Sequence, residues 1–256
     1  MPRRTFQLLN VLGFVLVLIM NTLANALPIN GYNTGEVSAL YPNLFVPAGF
    51  TFGIWGLIYL LLLGFVIYQF TSPAAEAGIP QQIGLWFFLS CLFNASWILA
   101  WHHLMPVLSL FIMLGLLASL IVIYRRVYEA PGPEAKGAWW GVELPFSVYL
   151  GWITVATIAN MTAVLVHLGW GGWGIAEPVW TVVMITVAVV MGLWFTWGQA
   201  DIPYSLVIVW ALAGIIARRT SGVAEVYYPA VVIAAAAGIG ILGAIVIRMA
   251  LKMDKG

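Results

Sequence analysis

Charged side chains are scarce in this chain of 256 residues, where Asp, Glu, Lys and Arg together make up 7% of the sequence. Soluble domains carry roughly 25%, so a water-soluble globular protein is excluded. Ten basic and nine acidic residues leave a formal net charge of +1, whereas a nucleic-acid-binding surface needs basic residues clustered on one face. Because 63% of the chain is hydrophobic, we predict that its solvent is mainly lipid and that nucleic acid is not a partner.

Cysteine and histidine are also rare. The single cysteine, Cys91, has no second cysteine with which to form an internal disulfide, and the three histidines include one close pair, His102 and His103. Adjacent histidines point in different directions on a helix, so we interpret this pair as solvated residues of a turn. The sequence predicts no metal site, no cofactor and no catalytic residue, because no nucleophile is paired with a base.

Hydrophobic runs long enough to cross a membrane recur along the chain. A helix needs roughly 20 apolar residues to span the hydrocarbon layer, and runs of about that length are separated here by polar residues, proline and glycine. The sequence therefore predicts an all-α polytopic membrane protein, in which the short seventh span leaves a re-entrant segment open as an alternative. The predicted spans are residues 6–27, 48–70, 82–102, 105–128, 140–168, 175–198, 202–217 and 224–250.

Basic residues near the ends of the spans predict the orientation, because they favour the cytoplasmic side. With eight spans, Arg3 and Arg4, the connection after the fourth span and the C-terminus fall on one side, whereas Arg218 and Arg219 fall on the other. We expect a multi-pass protein of the plasma membrane with the first group in the cytoplasm. The alternative for the first span is a cleavable secretory signal that ends near Ala-Asn-Ala at 24–26.

The connection at residues 28–47 is long and mixes turn-forming residues with aromatics, among them Tyr32, Tyr41 and Phe45. Loops of this kind often cover a binding site. An interfacial loop whose rings lie at the level of the lipid headgroups would have the same composition. Both interpretations stay open from the sequence.

Two predicted spans carry polar and aromatic residues where leucine would be less costly in lipid. At about 100° per residue, the residues of each set fall on one helix face. Two such faces suit a flat apolar ligand held between aromatic walls and amides, and the alternative is that they pack helices together. The sets are Asn94, Trp97 and Trp101 in the third span, and Tyr149, Trp152, Ala156 and Asn160 in the fifth.

A glycine string in the last span, Gly238, Gly240 and Gly243, has the spacing of a dinucleotide-binding turn. That turn requires a preceding strand, and here the string lies inside an apolar run. We interpret it as part of a small-residue face, formed by Ala236, Gly240 and Ala244, that lets another helix approach closely. The approaching helix would belong to this chain or to a second copy in a homodimer.

Motifs on three spans together resemble those of a known family. They are Pro47-Ala48-Gly49-Phe50 followed by Trp55-x-x-x-Tyr59 on the second span, Asn94-x-x-Trp97 on the third, and Tyr149-x-x-Trp152-x-x-x-Ala156-Thr157-x-x-Asn160 on the fifth. In this order they resemble the tryptophan-rich sensory protein or translocator protein family (TspO/MBR), whose members are five-helix membrane bundles. The resemblance implies a TspO-like bundle at 1–168 and a three-helix extension of unknown role at 169–256.

The resemblance further implies a pocket for a porphyrin or another flat apolar molecule, such as a sterol-like one, beneath the 28–47 loop. In such a pocket the tryptophans form walls, the tyrosines present hydroxyls and the asparagines orient polar groups of the ligand. Gly49 and Phe45 stand where the family has tryptophan. The implied ligand-binding residues are Phe45, Pro47, Phe50, Trp55, Tyr59, Asn94, Trp97, Trp101, Tyr149, Trp152, Ala156 and Asn160.

The function implied by the resemblance is that of an integral membrane receptor or carrier. One alternative is a permease for a small amphipathic molecule, favoured by eight spans instead of five. Another is an enzyme that promotes light-dependent porphyrin breakdown through its indoles, as family members are reported to do. The expected partners are the small-molecule ligand, the lipid bilayer and, through the small-residue face, a second copy of the chain.

Overall fold

A computed structural model describes residues 1–27, 29–128, 135–221 and 227–253. In those residues the chain forms eight long helices and no β-strand, which confirms the predicted all-α class. The helices agree with the predicted spans to within a few residues, and residues 224–226 of the last predicted span lie outside the described residues. The helices are α1 (Arg3–Ala26), α2 (Ile54–Tyr68), α3 (Trp86–His102), α4 (Pro106–Tyr128), α5 (Leu144–His167), α6 (Glu177–Gln199), α7 (Ile202–Thr220) and α8 (Pro229–Met253).

Seven helical stretches in the described part of the chain are long and apolar enough to cross a membrane. Two of them include a preceding turn, the 3-10 turn Gly49–Gly53 before α2 and the π-helical turn Trp139–Glu143 before α5. α3 has 17 residues, slightly fewer than the roughly 20 of a typical span. α7, with 19 residues, is among the seven, so its length gives no reason for a re-entrant segment.

Capping residues and left-handed residues set the helix boundaries. The Asp201 side chain accepts a hydrogen bond from the Tyr204 backbone N–H at 3.1 Å, and Pro203 lies in the first turn of α7, where its missing N–H costs no hydrogen bond. Ala200, with a φ of 55°, ends α6 in the left-handed conformation. Leu104 has a φ of 56° between α3 and α4. Both helix pairs are therefore joined by tight turns.

The connection before α3 differs from the prediction. The predicted third span begins at residue 82, whereas α3 begins at Trp86. Gly84 has a φ of 60°, which the interior of a helix does not allow. Two short helices, Ser72–Glu76 and Ile79–Ile83, occupy the connection instead.

The chain divides into two compact units. Unit 1 consists of Met1–Val37 and Trp55–Ile153, and unit 2 consists of Ser38–Ile54 and Thr154–Gly256. In unit 1, α3 packs against α1 and α4; in unit 2, α6, α7 and α8 pack against one another. α5 contributes its first part to unit 1 and the remainder to unit 2. The division into 1–168 and 169–256 stays a prediction.

Buried amides fasten α1 to the end of α2 within unit 1. Gln7 Nε2 donates to the backbone oxygen of Gln69 at 2.7 Å, and Asn10 Nδ2 donates to Gln69 Oε1 at 3.0 Å. In lipid, a polar group must find its partner inside the protein, so these bonds fix how the two helices meet. The core of the unit also holds three phenylalanines in mutual edge contact, Phe65, Phe87 and Phe146.

Glycine allows close helix packing in unit 2, although not at the predicted face. A Cβ on Gly238 would lie 2.7 Å from Val189 Cγ2 of α6 and 2.9 Å from Leu212 Cδ1 of α7. Gly240, in contrast, has nothing within 4 Å of such a Cβ, and Ala236 is exposed. Within the chain, the close approach is therefore made at Gly238 and not at the predicted face of Ala236, Gly240 and Ala244. The glycines of α8 point in more than one direction, so they do not all meet the same neighbour.

Candidate functional site

Four aromatic rings from α2 and α5 converge in unit 1. Trp55 stacks on Tyr59 one helical turn later, with ring centroids 5.6 Å apart and an interplanar angle of 20°. The edges of two α5 rings meet the same indole, that of Tyr149 at 6.1 Å and that of Trp152 at 6.2 Å. We call these four residues and Asn94 the Trp55 cluster. The structure thus brings together five of the twelve residues that the resemblance implied.

Amide side chains hold one phenol of the Trp55 cluster in place. Asn94 Nδ2 donates to the Tyr149 hydroxyl at 2.8 Å, and Asn94 Oδ1 accepts from Asn21 Nδ2 at 3.1 Å. Asn21 also donates to the Val17 backbone oxygen of its own helix at 3.0 Å. Asn94, which is 1% exposed, is therefore held from both sides. Asn21 was missed from the sequence, although an amide inside the apolar run of α1 is the same kind of signal as Asn94 in α3.

The second phenol of the cluster is arranged differently. The Tyr59 hydroxyl is buried and has no hydrogen-bond partner among the described residues. The amides of Asn94 and Asn21 lie near it as hydrogen-bonding groups, but their well-aligned hydrogen bonds go to each other and to Tyr149. A buried hydroxyl without a partner is costly, so this atom is where the cluster has hydrogen-bonding capacity left for another molecule.

Trp97 and Trp101 form a pair on α3, with stacked rings 5.7 Å apart at 15°. The Trp101 indole N–H donates to the Thr34 backbone oxygen at 3.3 Å, and Asn30 Nδ2 donates to the His102 backbone oxygen at 3.1 Å. These bonds hold residues of the first connection against the end of α3. The interpretation of His102 as a solvated residue was wrong: its side chain is 0% exposed and its Nδ1 lies 2.8 Å from the Ile98 backbone oxygen.

The remaining implied residues, Phe45, Pro47, Phe50, Ala156 and Asn160, belong to unit 2. Phe45 and Asn160 are buried, Ala156 is half-buried, and Phe50 is 56% exposed.

The turn that begins the second span rests on α7 in unit 2. The Ala48 backbone N–H donates to the Gly214 backbone oxygen at 3.0 Å, and the Trp210 indole N–H donates to the Thr51 backbone oxygen at 2.9 Å. The Phe50 ring meets the Trp210 ring edge-on at 5.5 Å. A helix outside the region of resemblance therefore positions these residues.

Unit 2 also contains a cavity of about 480 Å³. It lies between residues 42–45, the end of α5 and the start of α6. Of the twelve residues that the resemblance implied, Phe45 is part of its described wall. Glu177, in the first turn of α6, lines it and accepts a hydrogen bond from the Leu44 backbone N–H at 2.9 Å. We call this space the Glu177 cavity. The sequence signal for this cavity is the Gly-Trp run at 169–174, which Glu177 follows.

One aromatic residue next to this region lies outside the membrane-spanning segments. Burial raises the pKa of the Tyr41 phenol above its ordinary value, so the group stays protonated at neutral pH. Its ring meets the His167 ring edge-on at 6.0 Å. Tyr41 therefore acts as a packing residue and not as a charge.

The comparison with protein families decides the identity of the chain. The model of the TSPO-like protein family matches residues 7–248. The chain belongs to the TSPO-like protein family. No curated protein and no solved structure gives a significant match.

Membership of the TSPO-like family confirms the resemblance drawn from the three motifs. Together with seven apolar helices in the described residues, it makes the chain an integral, multi-pass membrane protein in contact with the lipid bilayer. The match continues through α6 and α7 and into α8. Among the described residues, no group of three or more His, Cys, Asp or Glu side chains is placed to hold a metal ion.

Proposed function

We propose that this TSPO-like protein is a membrane receptor or carrier that binds a flat apolar ligand, of porphyrin or sterol type, at the Trp55 cluster. The proposal is supported by one observation above all. Within unit 1, the rings of Trp55, Tyr149 and Trp152 converge beside the buried hydroxyl of Tyr59, which has no hydrogen-bond partner among the described residues. A ligand with a flat apolar body and a polar edge matches that combination.

Each group of the cluster would have a separate part in binding. The indoles of Trp55 and Trp152 offer apolar faces and edges to a planar ring system. Tyr59 would donate a hydrogen bond to a carboxylate or hydroxyl of the ligand, since its hydroxyl has no bond to give up first. Asn94, held by Asn21, keeps Tyr149 in place and so would act as a positioning residue.

The other implied residues stay predictions. Trp97 and Trp101 would extend the aromatic wall in unit 1. For Phe45, Pro47, Phe50, Ala156 and Asn160, which belong to unit 2, a role in ligand binding remains what the resemblance implies.

Protoporphyrin IX titrated into the purified protein tests the proposal through quenching of tryptophan fluorescence. We expect saturable quenching by the wild type and an affinity about fivefold lower for Tyr59→Phe, the value of one hydrogen bond. Tyr227→Phe, whose side chain is 60% exposed, is the matched control and should bind as the wild type does. Equal binding by Tyr59→Phe and wild type would remove the hydroxyl from the proposal, and no saturable quenching would remove the porphyrin class.

A competition experiment distinguishes the two ligand classes. A soluble cholesterol derivative should displace the porphyrin if both occupy the Trp55 cluster, and leave the quenching unchanged if the site is specific for tetrapyrroles. Flux of the bound ligand out of proteoliposomes then separates a carrier from a receptor, because a receptor releases no ligand across the bilayer.

A further inference from the structure

The Glu177 cavity has the size and lining of a small-molecule site. Its volume of about 480 Å³ lies within the roughly 300–1,000 Å³ of known ligand pockets. Most of its wall is apolar, with Leu165 and Val166 from the end of α5, Ile175 from the connection and Met184 from α6. An apolar body would therefore fill most of the space.

The neutral polar side chains of the wall already use their donors on nearby backbone oxygens. Trp180 Nε1 donates to Gly172 at 3.0 Å, Thr162 Oγ1 to Ala159 at 2.7 Å, and Thr181 Oγ1 to the Glu177 backbone at 3.0 Å. Asn43 Nδ2 donates in the same way to Tyr41 at 2.9 Å. The side chains of the cavity thus offer few free donors to a neutral polar or an anionic ligand.

Glu177 is the one charged side chain among the described residues that line the cavity. Its carboxylate makes one hydrogen bond in the described part of the chain, from the Leu44 N–H to Oε1. The second oxygen is left for a ligand. Glu177 is exposed, so a ligand can reach it, and a carboxylate on an otherwise apolar wall attracts a cation.

Two indoles line the same cavity as this carboxylate. Trp170 and Trp180 both line the cavity, with ring centroids 5.1 Å apart and planes tilted by 57°. Trp173 packs against both rings at 5.3 and 5.7 Å and supports them from outside. Indole faces attract cations, and quaternary ammonium groups in particular are bound by aromatic side chains.

From the volume, the apolar wall, the single carboxylate and the two indoles, we propose that the Glu177 cavity binds a hydrophobic organic cation of the aromatic quaternary-ammonium type. The ammonium group lies between Glu177 and the indoles, and the apolar part of the cation occupies the space lined by Leu165, Val166 and Met184. The residues that line this site differ from those of the Trp55 cluster, and its ligand differs in charge.

A basic residue near the cavity gives the proposal a second, opposite test. Arg219, at the end of α7, interacts electrostatically with Glu177 and does not line the cavity. Its Nε is buried without a hydrogen-bond partner among the described residues. A positive charge at that position opposes the binding of a cation, so its removal should strengthen binding while removal of the Glu177 charge weakens it.

Equilibrium binding of radiolabelled benzyltrimethylammonium to the full-length protein in an uncharged maltoside detergent tests the site. This probe carries a permanent charge, so protonation does not complicate the result. We expect Glu177→Gln to lower the affinity about two- to fivefold, since a charge pair at an exposed carboxylate is lost, while the glutamine oxygen still accepts from the Leu44 N–H. Glu36→Gln is the matched control: Glu36 also accepts a backbone N–H, from Asn33 at 2.8 Å, and should bind as the wild type does.

Two further variants complete the experiment. Arg219→Gln should bind the probe several-fold more tightly, and Trp170→Leu several-fold more weakly through loss of one indole face. Tyr59→Phe should leave the affinity for the cation unchanged, which keeps this result independent of the porphyrin titration. The proposal is overturned if the wild type shows no saturable binding, if Glu177→Gln binds as tightly as Glu36→Gln, or if Arg219→Gln weakens binding.

Discussion

At the residue scale, the two phenols of the Trp55 cluster show how one partner changes the role of a side chain. Tyr149 accepts a hydrogen bond from Asn94, whereas Tyr59 has no partner among the described residues. A hydroxyl that is already bonded contributes to folding, and a buried hydroxyl without a bond costs folding energy that a ligand can recover. The same residue type on adjacent helices therefore has opposite effects on stability and on binding.

Phenylalanine substitution at these two positions tests that difference in the absence of ligand. Tyr149→Phe leaves the Asn94 amide without its acceptor, so we expect a loss of about 1 kcal/mol in the free energy of unfolding. Tyr59→Phe breaks no hydrogen bond and should keep or slightly raise this free energy. Unfolding in mixed detergent micelles, followed by circular dichroism, measures both. Equal losses for the two variants would show that Tyr59 is a structural residue.

At this scale, residues within a family motif can be predicted from the sequence, whereas residues outside any motif cannot. The family strings contain Trp55, Asn94 and Trp152, and these do converge. Asn21 belongs to no string, and it is identified by the hydrogen bond that it donates to Asn94. His102 was interpreted wrongly because the sequence places it at a turn, whereas burial of a turn residue depends on which connection folds over it.

At the element scale, the eight long helices followed from the sequence because lipid imposes a length on apolar runs. Their boundaries depend on local backbone conformation, as Gly84 shows before α3. Which face of a helix meets a neighbour is a matter of tertiary packing. In α8, the small residues cover more than one face, so the sequence alone did not identify Gly238 as the contact.

Alanine substitutions at Gly238 and at Gly240, on different faces of α8, test this assignment. Gly238→Ala places a methyl group within 3 Å of side chains on α6 and α7, so we expect a loss of about 1–3 kcal/mol of stability. Gly240→Ala meets open space and should raise stability by up to about 1 kcal/mol, because alanine favours a helix more than glycine does. Thermal unfolding of the two variants measures the difference. A reversed order would return the helix contact to the predicted Gly240 face.

The exposed Gly240 face is also the predicted contact of a homodimer. If this exposed face joins two copies of the chain, Gly240→Leu should shift the molecular mass in detergent, measured by light scattering, from dimer to monomer. An unchanged mass would leave lipid as the neighbour of this face.

At the scale of the whole molecule, the positions of two basic residues do not follow the orientation rule, and a local interaction explains one of them. Arg218 and Arg219 fall on the side opposite to the other basic residues in the predicted orientation. Arg219 interacts electrostatically with Glu177 within unit 2, so a basic residue there has a partner of opposite sign. A rule that counts basic residues along the sequence does not include such partners.

The whole-molecule division of the chain also depends on contacts that the sequence does not show. The motifs cover residues 6–168, whereas the family match extends to residue 248. Residues 38–54 belong to unit 2 together with α6 and α7. Three hydrogen bonds connect that segment to these helices: Leu44 N–H to Glu177, Ala48 N–H to the Gly214 oxygen, and Trp210 Nε1–H to the Thr51 oxygen.

A chain that ends at residue 168 tests whether the five-helix part is an independent bundle. It lacks all three of these hydrogen bonds, so we expect residues 38–54 to open more often than in the full-length protein. Phe45 is 1% exposed in the full chain, so chymotrypsin should cleave after it slowly there. In the shortened chain we expect this cleavage to be at least about tenfold faster, which corresponds to a loss of about 1.4 kcal/mol of local stability. Cleavage after Phe70, which is 56% exposed in unit 1, is the internal control and should proceed at the same rate in both. Equal protection of Phe45 in the two chains would instead establish residues 1–168 as a self-sufficient bundle, with α6 to α8 as an addition to it.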